Sequence, residues 1–231
     1  MTDLSFLPNA LSAASQKIAD TYCLGLLQSL VTGYPFLPIT TASLRPHALV
    51  HILNDIVVND RKNIIEFGSG LSTILIGRLI KRNALDSRIL SVENDEGWAK
   101  TVSRLVRNEG IEDAIDVVHA PLVETGLALD GNLWYDVSVL DDRIAGRQFD
   151  MAIIDGPNAW QKGHEKARYP ALPYIYGKLN CGFCVYLDDA NRPGENSIIQ
   201  LWEKKYGTEF SKVGDTLAYC KTGGVFHSAA V

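Results

Sequence analysis

The sequence predicts an α/β fold: a seven-stranded, mostly parallel sheet with helices on both faces and an antiparallel C-terminal hairpin. From about residue 60 onward, short apolar segments alternate with segments of helical periodicity, the pattern of strands joined by crossover helices. The last two segments, 208–213 and 217–222, are separated by a turn at Gly214-Asp215, which predicts the hairpin. Gly68-Ser69-Gly70 joins the first strand to a helix, and such a turn exposes backbone N–H groups to a ligand.

The composition is that of an ordinary globular protein, with 46% hydrophobic and 21% charged residues in 231. We expect one domain over residues 1–231. The formal net charge of −5 gives no support to nucleic acid as a partner, since phosphate binding favours a basic surface. No apolar run reaches the length of a membrane span and no export signal opens the chain. We therefore expect a cytoplasmic protein with reduced cysteines and no membrane partner.

Two predicted helices precede the sheet. The first covers residues 9–32, and Pro46 opens the second. We expect residues 1–59 to form an N-terminal helical extension that caps the core over residues 60–222. His47 and His51 lie four residues apart on the second helix, a spacing that can bind metal. No third ligand accompanies them, so we interpret them as surface or core histidines.

The remaining elements alternate regularly. The five strands before the hairpin cover 64–67, 88–92, 115–119, 149–155 and 183–187. Helices begin near Ser72, Glu96, Pro170 and Pro193. The helix from Glu96 is expected to bury Trp98. Residues 124–148 are predicted to form an irregular surface excursion.

Cys181 and Cys184 have the C-x-x-C spacing of zinc and redox sites. A zinc site needs two further soft ligands, and no pattern supplies them. A thioredoxin-like motif would begin a helix, whereas this one leads into a strand. We interpret both cysteines as small residues packed at a strand entrance.

Acidic side chains lie at the carboxyl ends of four of the predicted parallel strands. They are Glu66, Glu93, Asp155, Asp188 and Asp189. In parallel sheets the carboxyl ends of the strands share one edge, and ligands bind there at the point where strand order reverses. Several acids at one edge favour a single functional site over separate solvated caps.

Three motifs carry a resemblance to a known family. Residues 66–73, Glu-Phe-Gly-Ser-Gly-Leu-Ser-Thr, resemble motif I of class I S-adenosylmethionine-dependent methyltransferases. Ser91-Val92-Glu93 resembles the end of their second strand, and 149–157, ending Ile-Asp-Gly-Pro, resembles their motif IV. The resemblance covers about residues 60–222 and implies a Rossmann-like core with a reversed last strand. The runs 168–173 and 187–192 are similar to a small bacterial methyltransferase group.

The resemblance implies S-adenosylmethionine as cofactor and gives the acids roles. Glu93 would accept both ribose hydroxyls, since a carboxylate offers two oxygens to a diol. Glu66 would hold the ammonium group directly or through water, and Ala120 would flank the adenine. The full set of expected cofactor residues is Glu66, Gly68, Ser69, Gly70, Ser72, Thr73, Glu93, Asn94, Ala120 and Asp155.

Asp155, Asp188 and Asp189 form a candidate metal site. Three carboxylates at one place would repel one another unless a cation joins them, and oxygen ligands suit Mg²⁺. The pattern is similar to metal-dependent sugar and catechol O-methyltransferases. The sugar enzymes have a second acid as base where this sequence has Pro157. His164 is the candidate replacement, with Asp155 the other predicted catalytic residue; an exposed loop histidine is the alternative. Metal-free transfer, with an acid orienting the substrate hydroxyl, also stays open.

The leading hypothesis is O-methylation of a small molecule or sugar, with Mg²⁺ assistance as an option and a homo-oligomer as an open possibility. One alternative is an NAD(P)-dependent oxidoreductase. It is disfavoured because Thr73 replaces the third glycine of G-x-G-x-x-G and Glu66 replaces an apolar strand residue. The other alternative is a non-catalytic protein that binds the cofactor, against which the retained acids argue.

Overall fold

The computed structural model describes residues 6–230, with side chains from residue 14 onward. The helices are α1 (Phe6–Leu26), α2 (Gln28–Val31), α3 (Pro46–Val58), α4 (Leu71–Asn83), α5 (Glu96–Glu109), α6 (Val137–Ile144), α7 (Ala171–Ile175) and α8 (Pro193–Tyr206). The strands are β1 (Asn63–Phe67), β2 (Arg88–Glu93), β3 (Ile115–His119), β4 (Leu122–Glu124), β5 (Leu133–Tyr135), β6 (Phe149–Ile154), β7 (Leu179–Leu187), β8 (Ser211–Val213) and β9 (Leu217–Lys221).

Seven strands form the main sheet in the order β3-β2-β1-β6-β7-β9-β8. The first five of these pair in parallel, and β9 runs antiparallel to both β7 and β8. The predicted fold class is therefore confirmed. The chain leaves β1 toward β2 on one side and later returns to β6 on the other, so strand order reverses between β1 and β6.

Alternate residues of each strand contribute to two separate hydrophobic cores, one on each face of the sheet. Ile64 packs with α3, α4 and α5 on one face, whereas Ile65 packs with α6, α7 and α8 on the other. Because successive strand side chains point to opposite faces, an apolar run such as Ile64-Ile65 serves both layers. None of the helices in the described residues is long and apolar enough to span a membrane.

Several local predictions need correction. The helix expected over 9–32 is divided at Leu27, where the Leu30 N–H bonds to the Leu27 carbonyl three residues back and tightens the turn. Residues 124–148 are not an irregular excursion, because they contain β5 and α6. Trp134 and Tyr135 are fully buried there, with the Trp134 ring centred 5.4 Å from that of Phe67. Tertiary packing of the aromatic rings therefore orders this segment.

Two further local predictions concern histidines and cysteines. His47 and His51 are both buried, the first bonded to Asp20 (2.8 Å) and the second to Ser228 (3.1 Å), so they are core histidines. Burial, followed by the charge of Lys221, lowers the pKa of His51 to about 4. The strand β7 begins four residues earlier than predicted, and of the two cysteines only Cys184 is packed; Cys181 is exposed.

Candidate functional site

A cavity of about 660 Å³ lies at the carboxyl ends of β1, β2 and β6, beside the point where strand order reverses. Its floor contains the glycine turn 68–70 and the segment 155–158, and one wall contains 93–95 with Trp98. Residues 37–44, from the connector before α3, line the same cavity. The N-terminal part of the chain therefore contributes directly to this site.

The turn after β1 requires glycine at Gly68. Its φ is +96°, a region that side chains disfavour, and a Cβ there would lie 2.9 Å from the Gly156 nitrogen. The backbones of the turns after β1 and β6 consequently lie against each other. This contact joins two of the predicted motifs into one cavity floor.

Glu66 lies beneath the turn rather than in the cavity wall. Its fully buried carboxylate accepts hydrogen bonds from Ser72 Oγ (2.5 Å), Thr73 Oγ1 (2.5 Å) and Ser91 Oγ (2.6 Å). The Thr73 hydroxyl also accepts from the Gly70 N–H (2.9 Å). Burial raises the pKa of Glu66, and the hydroxyl donors oppose that shift. Glu66 thus positions the turn through Thr73, and its contact with an ammonium group, directly or through water, stays a prediction.

Glu66→Gln is expected to lower the free energy of unfolding by about 1–2 kcal/mol, because an amide NH₂ replaces an oxygen that accepts buried hydroxyls. Urea denaturation of this variant would measure the change. Glu96→Gln, at an exposed side chain, is the matched control. An unchanged urea midpoint would show that the buried hydroxyls do not depend on the Glu66 charge.

Glu93 is the last residue of β2 and lies beside the glycine turn. It lines the cavity, and its Oε2 accepts from the backbone N–H (3.1 Å) and hydroxyl (3.0 Å) of Ser69. Its Oε1 accepts from the Asp95 N–H (2.8 Å). A carboxylate has about four lone-pair positions, and these three bonds leave one of them, on Oε1, for a further donor. A second ligand donor would have to replace the Ser69 hydroxyl. The same contacts brace the glycine turn against the end of β2.

The other predicted cofactor residues divide into two groups. Ser69, Gly70, Ser72 and Asn94 line the cavity together with Gly68, Glu93 and Asp155. Thr73 and Ala120 are fully buried behind it. Trp98 was expected in the core, but it is 42% exposed, lines the cavity and donates from Nε1 to the Ser69 carbonyl (2.8 Å). This hydrogen bond to the glycine turn holds the indole ring at the cavity.

A second cavity of about 390 Å³ adjoins the first, and Asp155 lines both. The three predicted metal ligands lie together here, with one oxygen from each of Asp155, Asp188 and Asp189 within 4.8 Å of the others. The other lining residues are mostly polar: Thr41, Ala42, Ser43, Arg45, Asn158, Trp160, Arg168, Arg192 and Thr216. The parallel topology therefore brings the predicted acids together, with arginines beside them.

Burial dominates the electrostatics of this acidic group. It raises the pKa of Asp155 well above its usual range, and the neighbouring Asp188 adds to the shift. Burial, and then Asp189, raises the pKa of Asp188 to about 7. Burial by itself would lower the pKa of Arg168, but the surrounding carboxylates, Asp155 first, raise it overall. The guanidinium therefore stays charged among the acids.

The comparison with family models identifies the chain. A model described as a methyltransferase domain matches residues 65–190, more than half of the chain. The chain belongs to this methyltransferase family. It is a class I S-adenosylmethionine-dependent methyltransferase, and the matched residues include the glycine turn, Glu93 and the acids at the ends of β6 and β7.

Solved structures share the fold of this methyltransferase. An O-methyltransferase from Bacillus cereus in complex with SAH is 16% identical with a TM-score of 0.55, covering 89% of this chain and 90% of that one. TomG, an O-methyltransferase of tomaymycin synthesis from Streptomyces achromogenes in complex with SAM, gives the same values. A protein from Klebsiella pneumoniae, provisionally described as an O-methyltransferase, is 16% identical with a TM-score of 0.62, covering 91% and 100%. The comparison with curated proteins found no match.

The acids of this methyltransferase do not fit a Mg²⁺ site as they are folded. The Arg168 guanidinium already lies among them, with Nη2 3.3 Å from Asp155 Oδ1 and Nη1 3.0 Å from Asp189 Oδ2. Mg²⁺ requires oxygens at about 2.0–2.1 Å in near-octahedral geometry, so it would have to displace this cation. In the sequence, Arg168 stood out only as the first residue of the run 168–173.

His164 is exposed, and within the described residues it lines neither of the two cavities. The structure therefore does not bring it to the site, and the alternative of an exposed loop histidine is favoured. We expect His164→Ala to keep turnover within about twofold of wild type, since exposed substitutions away from a site have small effects. Steady-state release of S-adenosylhomocysteine would measure this. A fall of roughly 10²-fold or more would return His164 to the role of base.

Sequence reasoning missed three site features of this methyltransferase. Trp98 has the helical spacing typical of a core residue, so the sequence pattern did not indicate that it lines a cavity. The segment 37–44 carried no motif, although Pro38 and Ser43 line the larger cavity. Arg168 precedes Tyr169-Pro170 in a run that was singled out only for its family resemblance. The signal that could have identified its role was the group of four acids at nearby strand and helix ends, because buried carboxylates need a cation as partner.

Proposed function

We propose that this methyltransferase transfers a methyl group from S-adenosylmethionine to a hydroxyl oxygen of a small polar acceptor. The observation that carries the proposal is the position of Asp155, which lines both the cavity of about 660 Å³ and the adjoining one of about 390 Å³. The first cavity would hold the cofactor, and the second would hold the acceptor. Their junction at Asp155 is where methyl donor and hydroxyl would meet.

The cofactor roles follow from the cavity wall. Glu93 would accept the ribose hydroxyls, and the backbone of the glycine turn would approach the amino-acid part of the cofactor. Trp98 presents an aromatic ring beside Glu93 and Asn94, a surface suited to the adenosine part. Ala120 and Glu66 would act from behind this wall by supporting the strand ends.

The lining of the second cavity supports a polar acceptor. Charged and hydroxyl side chains surround it, with Arg45 and Ser43 on the N-terminal side and Arg192 and Thr216 on the other. Hydroxyl-bearing compounds such as sugars or other polyols can satisfy such groups, whereas an apolar acceptor would leave them unpaired. The related folds described as O-methyltransferases support oxygen as the atom that is methylated.

Asp155 would act as the general base. When bound, S-adenosylmethionine supplies a methyl group on a positively charged sulfur. Asp155 would accept the proton of the acceptor hydroxyl while the methyl group moves from sulfur to that oxygen, so the products would be the methylated acceptor and neutral S-adenosylhomocysteine. Methyl transfer needs little else from the protein besides alignment of the three atoms, which the two adjoining cavities would provide.

The other predicted properties stay predictions. They are residues 1–59 as a cap, a cytoplasmic location, a small-molecule partner, no nucleic acid or membrane partner, and a homo-oligomer as an option. Mg²⁺ assistance also stays a prediction, and the guanidinium among its candidate ligands weighs against it.

Two measurements test the proposal. Calorimetry should give saturable binding of S-adenosylhomocysteine and no binding of NAD at the same concentration. A panel of sugars, catechols and amines should then be screened for release of S-adenosylhomocysteine, with product analysis by mass spectrometry. Turnover confined to amines or carbon acceptors would contradict oxygen as the acceptor atom, and cofactor binding without turnover on any class would favour a non-catalytic role.

A further inference from the structure

Three carboxylates lie within 4 Å of the Arg168 guanidinium. Asp155 and Asp189 are at 3.3 and 3.0 Å, and Glu195 Oε1 lies 3.9 Å from Nη1. We propose that Arg168 takes the place of a divalent cation in this methyltransferase and holds its acids in position, so that the site works without a metal. The effect on turnover rests on the proposed function, whereas the effect on metal binding does not.

Backbone acceptors fix the orientation of this guanidinium. Its Nε donates to the Pro157 carbonyl and its Nη1 donates to the Asp188 carbonyl, each at 3.2 Å. Arginine offers five N–H donors in a planar fork, so it can bind two chain segments and two carboxylates together. Arg168 thereby joins the loops after β6 and β7, as a shared metal would.

The chain around Arg168 is anchored on both sides. Tyr169 is buried and accepts a hydrogen bond on its carbonyl from Trp202 Nε1 (3.0 Å). Upstream, the loop backbone packs so closely on α8 that a Cβ at Gly194 would collide with the Glu165 carbonyl oxygen. The backbone that carries the guanidinium is therefore held against α8 on both sides of Arg168.

A second arginine adds positive charge beside the same acids. Arg192 Nη1 lies 2.9 Å from Asp189 Oδ2 and 3.8 Å from Glu195 Oε1. Two guanidinium groups carry the same formal charge as one divalent cation, and both approach Asp189, one of the three candidate ligands. This residue therefore already has two cationic partners.

The first test uses the wild-type protein. Mn²⁺ should be titrated and followed by electron paramagnetic resonance of the free ion, with S-adenosylhomocysteine binding measured on the same sample. We expect no Mn²⁺ binding below about 1 mM, the weak end of protein oxygen sites. On an accepted substrate, turnover in EDTA should equal turnover in Mg²⁺. A missing response to S-adenosylhomocysteine would count against the proposed function and leave the Mn²⁺ result valid.

The second test removes the internal cation. Arg168→Ala uncovers the acids, so it should bind Mn²⁺ below about 1 mM and melt at a higher temperature when Mn²⁺ is added. Its affinity for S-adenosylhomocysteine should change by less than about threefold, because the glycine turn and Glu93 are untouched. Its turnover should fall roughly 10²-fold, through misplacement of Asp155.

Arg78→Ala is the matched control. Arg78 is equally buried and pairs with Glu109 at 2.6 Å, away from both cavities. It should lose stability without gaining Mn²⁺ affinity. Two results would overturn the proposal. One is that the wild-type protein binds Mn²⁺ below about 1 mM and that Asp189→Asn abolishes this binding. The other is that EDTA removes the activity and Mg²⁺ restores it. If Arg168→Ala does not fold, the wild-type titration decides by itself.

Discussion

Asp155→Asn is expected to lower turnover roughly 10²- to 10⁴-fold, the usual contribution of a general base. The amide has nearly the same shape but cannot accept the hydroxyl proton. Affinity for S-adenosylhomocysteine should change little, since the cofactor contacts lie mainly on the glycine turn and Glu93. Initial rates under saturating cofactor, with calorimetry in parallel, would separate the two effects.

The pH profile adds a second readout for Asp155. Because burial raises the pKa of Asp155, the wild-type rate should fall as the pH is lowered and this base takes up its proton. Asp155→Asn should lose that dependence. Asp116→Asn, at a half-exposed carboxyl, is the matched control and should behave as wild type. Wild-type turnover in Asp155→Asn would remove the residue from catalysis and leave the junction of the cavities without a base.

Glu93→Ala is expected to weaken cofactor binding by about 3 kcal/mol, or roughly 10²-fold, the scale of two charge-assisted hydrogen bonds. The fold should survive because Glu93 is the last residue of β2 and lies at its open end. Calorimetry with S-adenosylhomocysteine and with 2′-deoxyadenosyl analogues would measure the loss. The affinities of wild type and Glu93→Ala should differ much less for these analogues than for S-adenosylhomocysteine.

Glu93→Gln separates ribose binding from support of the turn. Ser69 and Asp95 bond to different oxygens of Glu93, so the single amide oxygen can keep one of these two bonds. Part of the support of the turn should therefore stay while the charge is lost. Its affinity should lie between those of wild type and Glu93→Ala. Equal affinity in all three folded proteins would exclude Glu93 from the ribose site.

Much of the site could be predicted because its parts are local in sequence. The glycine turn needs positive φ at Gly68, and each acid follows a strand whose apolar pattern is legible. Parallel strands then share one carboxyl edge, so the acids had to converge. The direction of each side chain was not available in this way. Glu66 points under the turn and Glu93 into the cavity, although both lie near strand ends.

The sequence by itself determined the order of strands and helices, the class of fold and the edge of the sheet that binds ligands, because periodicity and turn chemistry are short-range properties. Only the tertiary structure decided which polar groups face which. Trp98 lines the cavity because its indole N–H donates a hydrogen bond to the Ser69 carbonyl. Trp134 lies in the core because it packs against Phe67. Arg168 reached the acids because the loop after β6, the loop after β7 and the start of α8 meet at its guanidinium. Such a meeting depends on contacts between residues that are far apart in the chain.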